Sequence, residues 1–128
     1  MKLKNTKGSM REQRKKTRTT LKRKADKLFG EKIRARGRCE LAGLDDIRCS
    51  GQLQTMHIIG RSNHNLRWEA WNALCGCSGH HRWYTSHPFE FFGLIQTNFP
   101  DQYEFIEASK NDFWDKDYER VLREIEEI

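Results

Sequence analysis

One stretch organises the chain, His57 to His81, which reads HIIGRSNHNLRWEAWNALCGCSGHH. Just before it, Leu53, Thr55, His57 and Ile59 alternate with Gln54, Met56 and Ile58. Alternation of this kind predicts a strand with His57 near its end. Asn72, fifteen positions after His57, opens a second short run, Ala73-Leu74-Cys75. Ser78 is placed to cap a helix that carries His80 and His81. Strand, loop, strand and helix therefore bring His57, Asn72 and His81 into one place, which constrains the fold to an α+β class.

The cysteines constrain it further. A chain of 128 residues is one domain, and with 36% hydrophobic and 33% charged residues its core is modest. A structural metal would help to stabilise such a core. The start, Met1-Lys2-Leu3-Lys4, has no apolar run behind it, and no transmembrane segment is predicted anywhere. A cytoplasmic setting is expected, where four cysteines read as metal ligands more readily than as disulfides. Cys39 and Cys49 have nine residues between them, and tetrahedral zinc sets no limit on that loop. Cys39, Cys49, Cys77 and His80 form the expected Cys₃His site for structural zinc (Zn²⁺). Cys75 is the alternative to Cys77, with poorer spacing to His80 and to Asn72.

The order His57, Asn72, His81 resembles the HNH motif of the ββα-metal nucleases. In that family the first histidine ends one strand, the asparagine sits at the second, and the last histidine lies on the helix. Asn72 and His81 are nine residues apart, as the family pattern expects. A zinc-bearing branch writes Cys-x-x-Cys-His at the helix start. Cys77-Ser78-Gly79-His80-His81 is similar, with His80 in place of the second cysteine. The wider pattern, LQTMHIIGRS, LRW, HHRW and HP, looks closest to small phage-type recombination endonucleases of the Rap kind, over residues 20–110.

That resemblance implies a zinc-stabilised, treble-clef-like ββα-metal core and hydrolysis of DNA phosphodiesters. A neutral histidine titrates near working pH, so His57 suits the general base. His81 would be the main ligand of a catalytic Mg²⁺ or Mn²⁺, and Asn72 would hold the interstrand loop and orient the base. Arg61 or Arg67, in the polar loop after His57, would contact phosphate, with Arg82 near the helix. One departure stands out. Where many relatives place a metal-binding side chain just before the base, this chain has Met56, which does not bind Mg²⁺. His87 is weighed equally as a further metal ligand and as a helix cap.

Charge is unevenly spread. Residues 1–38 hold 16 Lys and Arg against three acids, a net +13, while residues 39–128 carry a net −7. A basic arm on an acidic body is the footprint of a polyanion binder. Residues 1–18 are expected to be a flexible basic arm, although Ser9-Met10-Arg11-Glu12 has the form of a capping box. A helix is expected from about Thr19 to Arg36, stopped by Gly37, with Leu21, Ala25, Leu28, Phe29 and Ile33 as its apolar stripe. Lys15, Lys16, Arg18, Lys22, Arg23 and Lys24 are candidate nucleic-acid contacts. Residues 19–110 form the expected nuclease-like domain. Residues 111–128 form an acidic amphipathic helix from Trp114, packed on the body or meeting a protein partner or second copy.

The leading expectation is a metal-dependent DNA endonuclease acting on duplex or branched DNA in recombination or processing. Two others stand beside it. One is a catalytically inactive zinc-dependent nucleic-acid-binding module, favoured by Met56. The other, weaker, is an adaptor whose acidic C-terminal helix recruits a partner. No membrane interaction is expected.

Overall fold

The computed structural model describes residues 9–128. Helix α1 (Met10–Arg34) comes first and strand β1 (Leu53–His57) second. A short helix α2 (His64–Arg67) and a 3₁₀ turn (Ala70–Asn72) lead into strand β2 (Ala73–Cys77). Four helices complete the chain: α3 (Ser78–Ser86), α4 (Pro88–Asn98), α5 (Pro100–Ser109) and α6 (Tyr118–Glu126). The class is α+β, mostly helical, with one two-stranded sheet among the described residues. No helix among them is long and apolar enough to cross a membrane.

The two strands pair antiparallel, with Leu53 opposite Cys77, Thr55 opposite Cys75 and His57 opposite Ala73. Because side chains alternate along a strand, this small sheet divides the core in two. Met56 and Leu74 pack with Leu41, Ile58, Tyr84, Phe91, Ile95 and Ile106, beneath α3, α4 and α5. Ala73, Cys75 and Leu53 pack with Ala25, Phe29, Ile33, Val121 and Ile125, beneath α1 and α6. Gly76 is required by this packing, since a Cβ there would lie 2.1 Å from Met56 Sδ.

The boundaries of α1 correct the sequence reading. Glu12 N–H donates to Ser9 Oγ at 3.2 Å and Ser9 N–H donates to Glu12 Oε2 at 3.3 Å. This reciprocal cap starts the helix at Met10, so residues 10–18, expected as flexible arm, are its first turns. Residues 1–8, with the rest of that arm, lie outside the described residues. At the other end α1 stops at Arg34, and Gly37 turns the chain with φ +81°. The C-terminal helix also starts later than expected. Asp117 caps it by accepting from Arg120 N–H at 2.8 Å. Trp114 instead joins an aromatic cluster with His64, Trp68 and Tyr118. His64 is therefore half-buried in packing contacts. Pro88 and Pro100 each occupy the first turn of a helix, where a missing N–H costs nothing.

Candidate functional site

Two histidine-bearing sites lie on either side of α3, built from adjacent residues, His80 and His81. The first is a Cys₃His cluster. Cys39 follows α1, Cys49 closes a loop before β1, Cys77 ends β2 and His80 lies one turn into α3. The four ligand atoms lie within 4.8 Å of one another. His80 Nδ1 is 3.7 Å from Cys39 Sγ, 3.7 Å from Cys49 Sγ and 3.1 Å from Cys77 Sγ. A tetrahedral site with metal–sulfur bonds near 2.3 Å and metal–nitrogen bonds near 2.0 Å has sulfur–nitrogen edges of about 3.5 Å. The donor set and its spacing can therefore hold a metal ion such as zinc.

The surroundings of His80 orient it for that task. Its ring is fully buried, and Nε2 lies 3.0 Å from Asp45 Oδ1. A carboxylate partner requires the proton on Nε2, which leaves the Nδ1 lone pair facing the sulfurs. The Tyr84 hydroxyl donates to the second oxygen of Asp45, and Ile47 N–H donates to the first at 3.0 Å. Burial opposes charge on His80, but Cys77 and Asp45 outweigh it and raise its pKa. Burial likewise pushes the Cys77 thiol up. The N–H groups of His80 and Ser50 and the His80 ring reverse that and hold it at about 6. Desolvation and then the neighbouring sulfurs push the Cys49 thiol up to about 11. Three thiols this close cannot all ionise alone, and a divalent cation would relieve that repulsion.

Of the two alternatives at β2, the geometry selects Cys77. Cys75 lies two residues back on the strand, fully buried in the cluster that includes Phe29 and Ile33. Cys77 sits at the junction with α3 and is itself the N-cap, its Sγ accepting from His80 N–H at 3.4 Å. Ser78, the cap expected from sequence, is the first helical residue, and its hydroxyl donates to Gln52 O.

The second site is a cavity of about 190 Å³ lined by both His57 and His81, with Met56, Tyr84, Pro88 and Phe92 among its walls. His57 Nε2 lies 2.8 Å from the Arg67 carbonyl. A carbonyl only accepts, so Nε2 carries the proton and Nδ1 keeps its lone pair. Burial lowers the His57 pKa, outweighing the Arg67 carbonyl, so the ring is neutral at pH 7. Phe29 of α1 packs on it with ring centres 5.6 Å apart. His81 Nδ1 lies 2.6 Å from Gln54 Oε1, which leaves Nε2 unprotonated, and burial lowers its pKa too.

Asn72 clamps the loop between the strands. Fully buried, it accepts from Ile59 N–H at 2.8 Å and donates to the carbonyls of Ile59 and Leu66 at 3.0 and 2.9 Å. The next carbonyl after Leu66 is the one that holds His57. Asp26 of α1 holds the same segment from outside. It accepts two bonds from Arg67, at 2.9 and 2.7 Å, one from Trp68 Nε1 at 2.9 Å and one from Arg61 at 2.8 Å. Burial raises the Asp26 pKa, but these donors outweigh it and hold it below the usual carboxylate range.

Several site expectations change. The Arg67 side chain is 11% exposed and bonded to Asp26 and the Arg61 carbonyl. The Arg61 side chain is 57% exposed and keeps its outer face open. His87 does not line the cavity. It is the C-cap of α3, with its Nδ1 2.7 Å from the Trp83 carbonyl and its ring stacked on the Trp83 ring at 3.7 Å. Arg82 is exposed and lines an open cleft with His81, Gln54 and Thr85. Lys15, Lys16, Arg18, Arg23 and Lys24 are exposed along α1, and Lys22 is half-buried. Met56 is 2% exposed and brings a thioether, not an oxygen, to the cavity wall. Among the described residues, the Cys₃His set is the one grouping of three or more close metal-donor side chains.

Sequence reasoning missed Asp45, Gln54, Tyr84 and Asp26. Asp45 alone carried a signal, as an acid within the loop between two expected ligands. Neither a known protein family, nor a curated protein, nor a solved structure matches this chain.

Proposed function

We propose that the chain is a metal-dependent DNA endonuclease of HNH type, held together by structural zinc at Cys39, Cys49, Cys77 and His80, and acting in DNA recombination or processing. One observation carries this reading. His57 and His81 line the same cavity with their free ring nitrogens on complementary atoms, Nδ1 on one and Nε2 on the other. In this reading His57 Nδ1 takes a proton from water as the water oxygen bonds to phosphorus. The P–O bond to the leaving oxygen breaks, and that oxygen is protonated from solvent. Asn72 keeps the base aligned by fixing the loop that carries the Arg67 carbonyl. Arg61 and Arg82, exposed and next in sequence to the cavity residues Gly60 and His81, suit the phosphates flanking the scissile bond.

A divalent cation supplies charge neutralisation on the phosphate and leaving oxygen when bound. The donor set offered to it is one imidazole, His81, with no carboxylate, so DNA phosphate and water must furnish the other ligands. Mg²⁺ keeps several waters and binds substrate phosphates in protein sites, though usually with a carboxylate that this cavity lacks. Met56 supports a second reading, in which the same zinc fold binds nucleic acid without cleaving it.

The test is incubation of the protein with end-labelled duplex and four-way-junction DNA in Mg²⁺, Mn²⁺ or chelator. Cleavage with either ion and none in chelator is expected. Binding with no cleavage under any ion would discard the nuclease in favour of the binding module.

A further inference from the structure

Helix α1 is far longer than its packing needs. It spans 25 residues, yet its buried residues are Ala25, Phe29, Gly30 and Ile33, all in the second half. Between Met10 and Lys24, about 22 Å of helix at 1.5 Å per residue, no residue is buried. That stretch is crowded with charge: nine Lys and Arg lie between Arg11 and Lys27. Several are spaced i, i+4, as Arg11 and Lys15, Arg14 and Arg18, Arg18 and Lys22, a spacing at which like charges destabilise a helix. None of the nine has a carboxylate within ion-pair distance among the described residues. The nearby acids are engaged elsewhere or stand apart. Glu12 closes the N-terminal cap, Asp26 holds Arg61 and Arg67, and Asp117 caps α6. Asp117 and Glu119 share a groove with Arg11, Arg14 and Arg18 but form no ion pair with them.

We infer that the N-terminal half of α1 is a contact element for the major groove of B-form duplex DNA, placed to one side of the cavity that holds His57. The inference deepens the nucleic-acid reading above and rests on it for the meaning of His57. A helix with its side chains is about 10–12 Å across, and the B-form major groove, about 12 Å wide, admits it. The major groove of A-form RNA is too narrow and deep for it. One side of this half shares the groove with Asp117 and Glu119, while the exposed Lys15, Lys16, Arg23 and Lys24 suit phosphates on the groove walls, and binding would relieve the mutual repulsion of the cations. Phe29 touches His57, so Lys24 lies about 7 Å and Arg11 about 27 Å from that point along α1. The basic stretch therefore starts close to His57 and runs away from it on one side.

The test uses the full chain and the variant Lys15→Gln, Lys16→Gln, Arg18→Gln. All three side chains are exposed and glutamine is a good helix former, so the fold is retained. Binding of each protein to a 30-base-pair DNA duplex and to the RNA duplex of the same sequence is followed by fluorescence anisotropy across a salt series. For DNA, the slope of log affinity against log salt should flatten by about 2 to 3 units, near 0.9 per lost phosphate contact. RNA duplex binding should be weaker and change little. An unchanged DNA slope overturns the inference, as does equal loss on DNA and RNA, which would mark undirected polyelectrolyte attraction. Tighter DNA binding by the variant also overturns it, since α1 would then be shielding the site. Cleavage at saturating DNA separates the two readings. A wild-type protein that never cleaves yet shows the slope change loses its nuclease assignment and keeps the groove contact.

Discussion

The two sites on α3 differ in completeness. The Cys₃His cluster gathers four ligand atoms of matched softness, a buried imidazole with its second nitrogen on Asp45, and amide donors to the Cys77 sulfur. Everything a metal needs there comes from the protein. The His57–His81 cavity offers two neutral imidazoles and an apolar wall that includes Met56 and Phe92. In the proposed nuclease reading, the remaining charge and oxygen ligands would arrive with a substrate. A self-sufficient site can build the fold, whereas one completed by its substrate is better suited to chemistry that begins on binding. The boundary between them is the single peptide step from His80 to His81.

The largest expected effect breaks the self-sufficient side. Cys39→Ser or Cys77→Ser should lose bound metal and cooperative thermal unfolding together, because site assembly and folding are coupled. Elemental analysis and a melting curve check this. Cys75→Ala should keep the metal and cost about 1 kcal/mol, since it leaves only a small cavity beside Phe29. Equal damage from the Cys75 variant would mean that the ligand set is misassigned.

On the other side, His57→Ala should lower metal-dependent DNA cleavage by about 10²–10⁴-fold and leave zinc content and DNA affinity unchanged. Undiminished cleavage in single-turnover assays would remove His57 from the chemistry.

A smaller effect sharpens how the cavity is held. Asp26→Asn should cost about 1–3 kcal/mol of unfolding free energy, since it leaves Arg67 and Arg61 without their charged partner. Asp26 has a depressed native pKa, so its contribution is complete above the ordinary value of 3.8 and fades as pH falls through the native one. Denaturant melts below pH 4 should show wild type converging on the variant, and a constant gap would contradict the assigned role. The NMR signal of the His57 Nε2 proton should weaken in the variant at neutral pH, because the Arg67 carbonyl is no longer held.

Least of all should happen at His87. His87→Ala removes a stack on Trp83 and one bond to a carbonyl, and should cost under about 1 kcal/mol with metal content and any cleavage unchanged. A loss of catalytic metal dependence would return His87 to the ligand set.

Parts of this contrast were legible before any coordinates. The Cys77-x-x-His80 spacing places a strand end and the first turn of a helix on one point, and local geometry suffices to see it. Asn72 at the second strand was visible for the same reason. The capping box at Ser9–Glu12 was visible too, although the lack of an apolar stripe before Leu21 favoured a flexible arm. Arg61 and Arg67 could not be separated by sequence, since both are arginines in one polar loop. Both reach Asp26, and only the fold shows Arg67 buried against it with two bonds while Arg61 stays exposed.

The sequence by itself determined what repeats over short distances: the alternation of β1, the apolar spacing of α1 and α6, and the four metal-donor residues. Tertiary structure alone decided which nitrogen of each histidine is free. His80 is set by Asp45, 35 residues earlier, His81 by Gln54 on the neighbouring strand, and His57 by a backbone carbonyl, which every residue possesses and no sequence can single out. Periodicity follows from backbone geometry within a few residues. A tautomer depends on one hydrogen-bond partner, and that partner is chosen when distant segments close on each other.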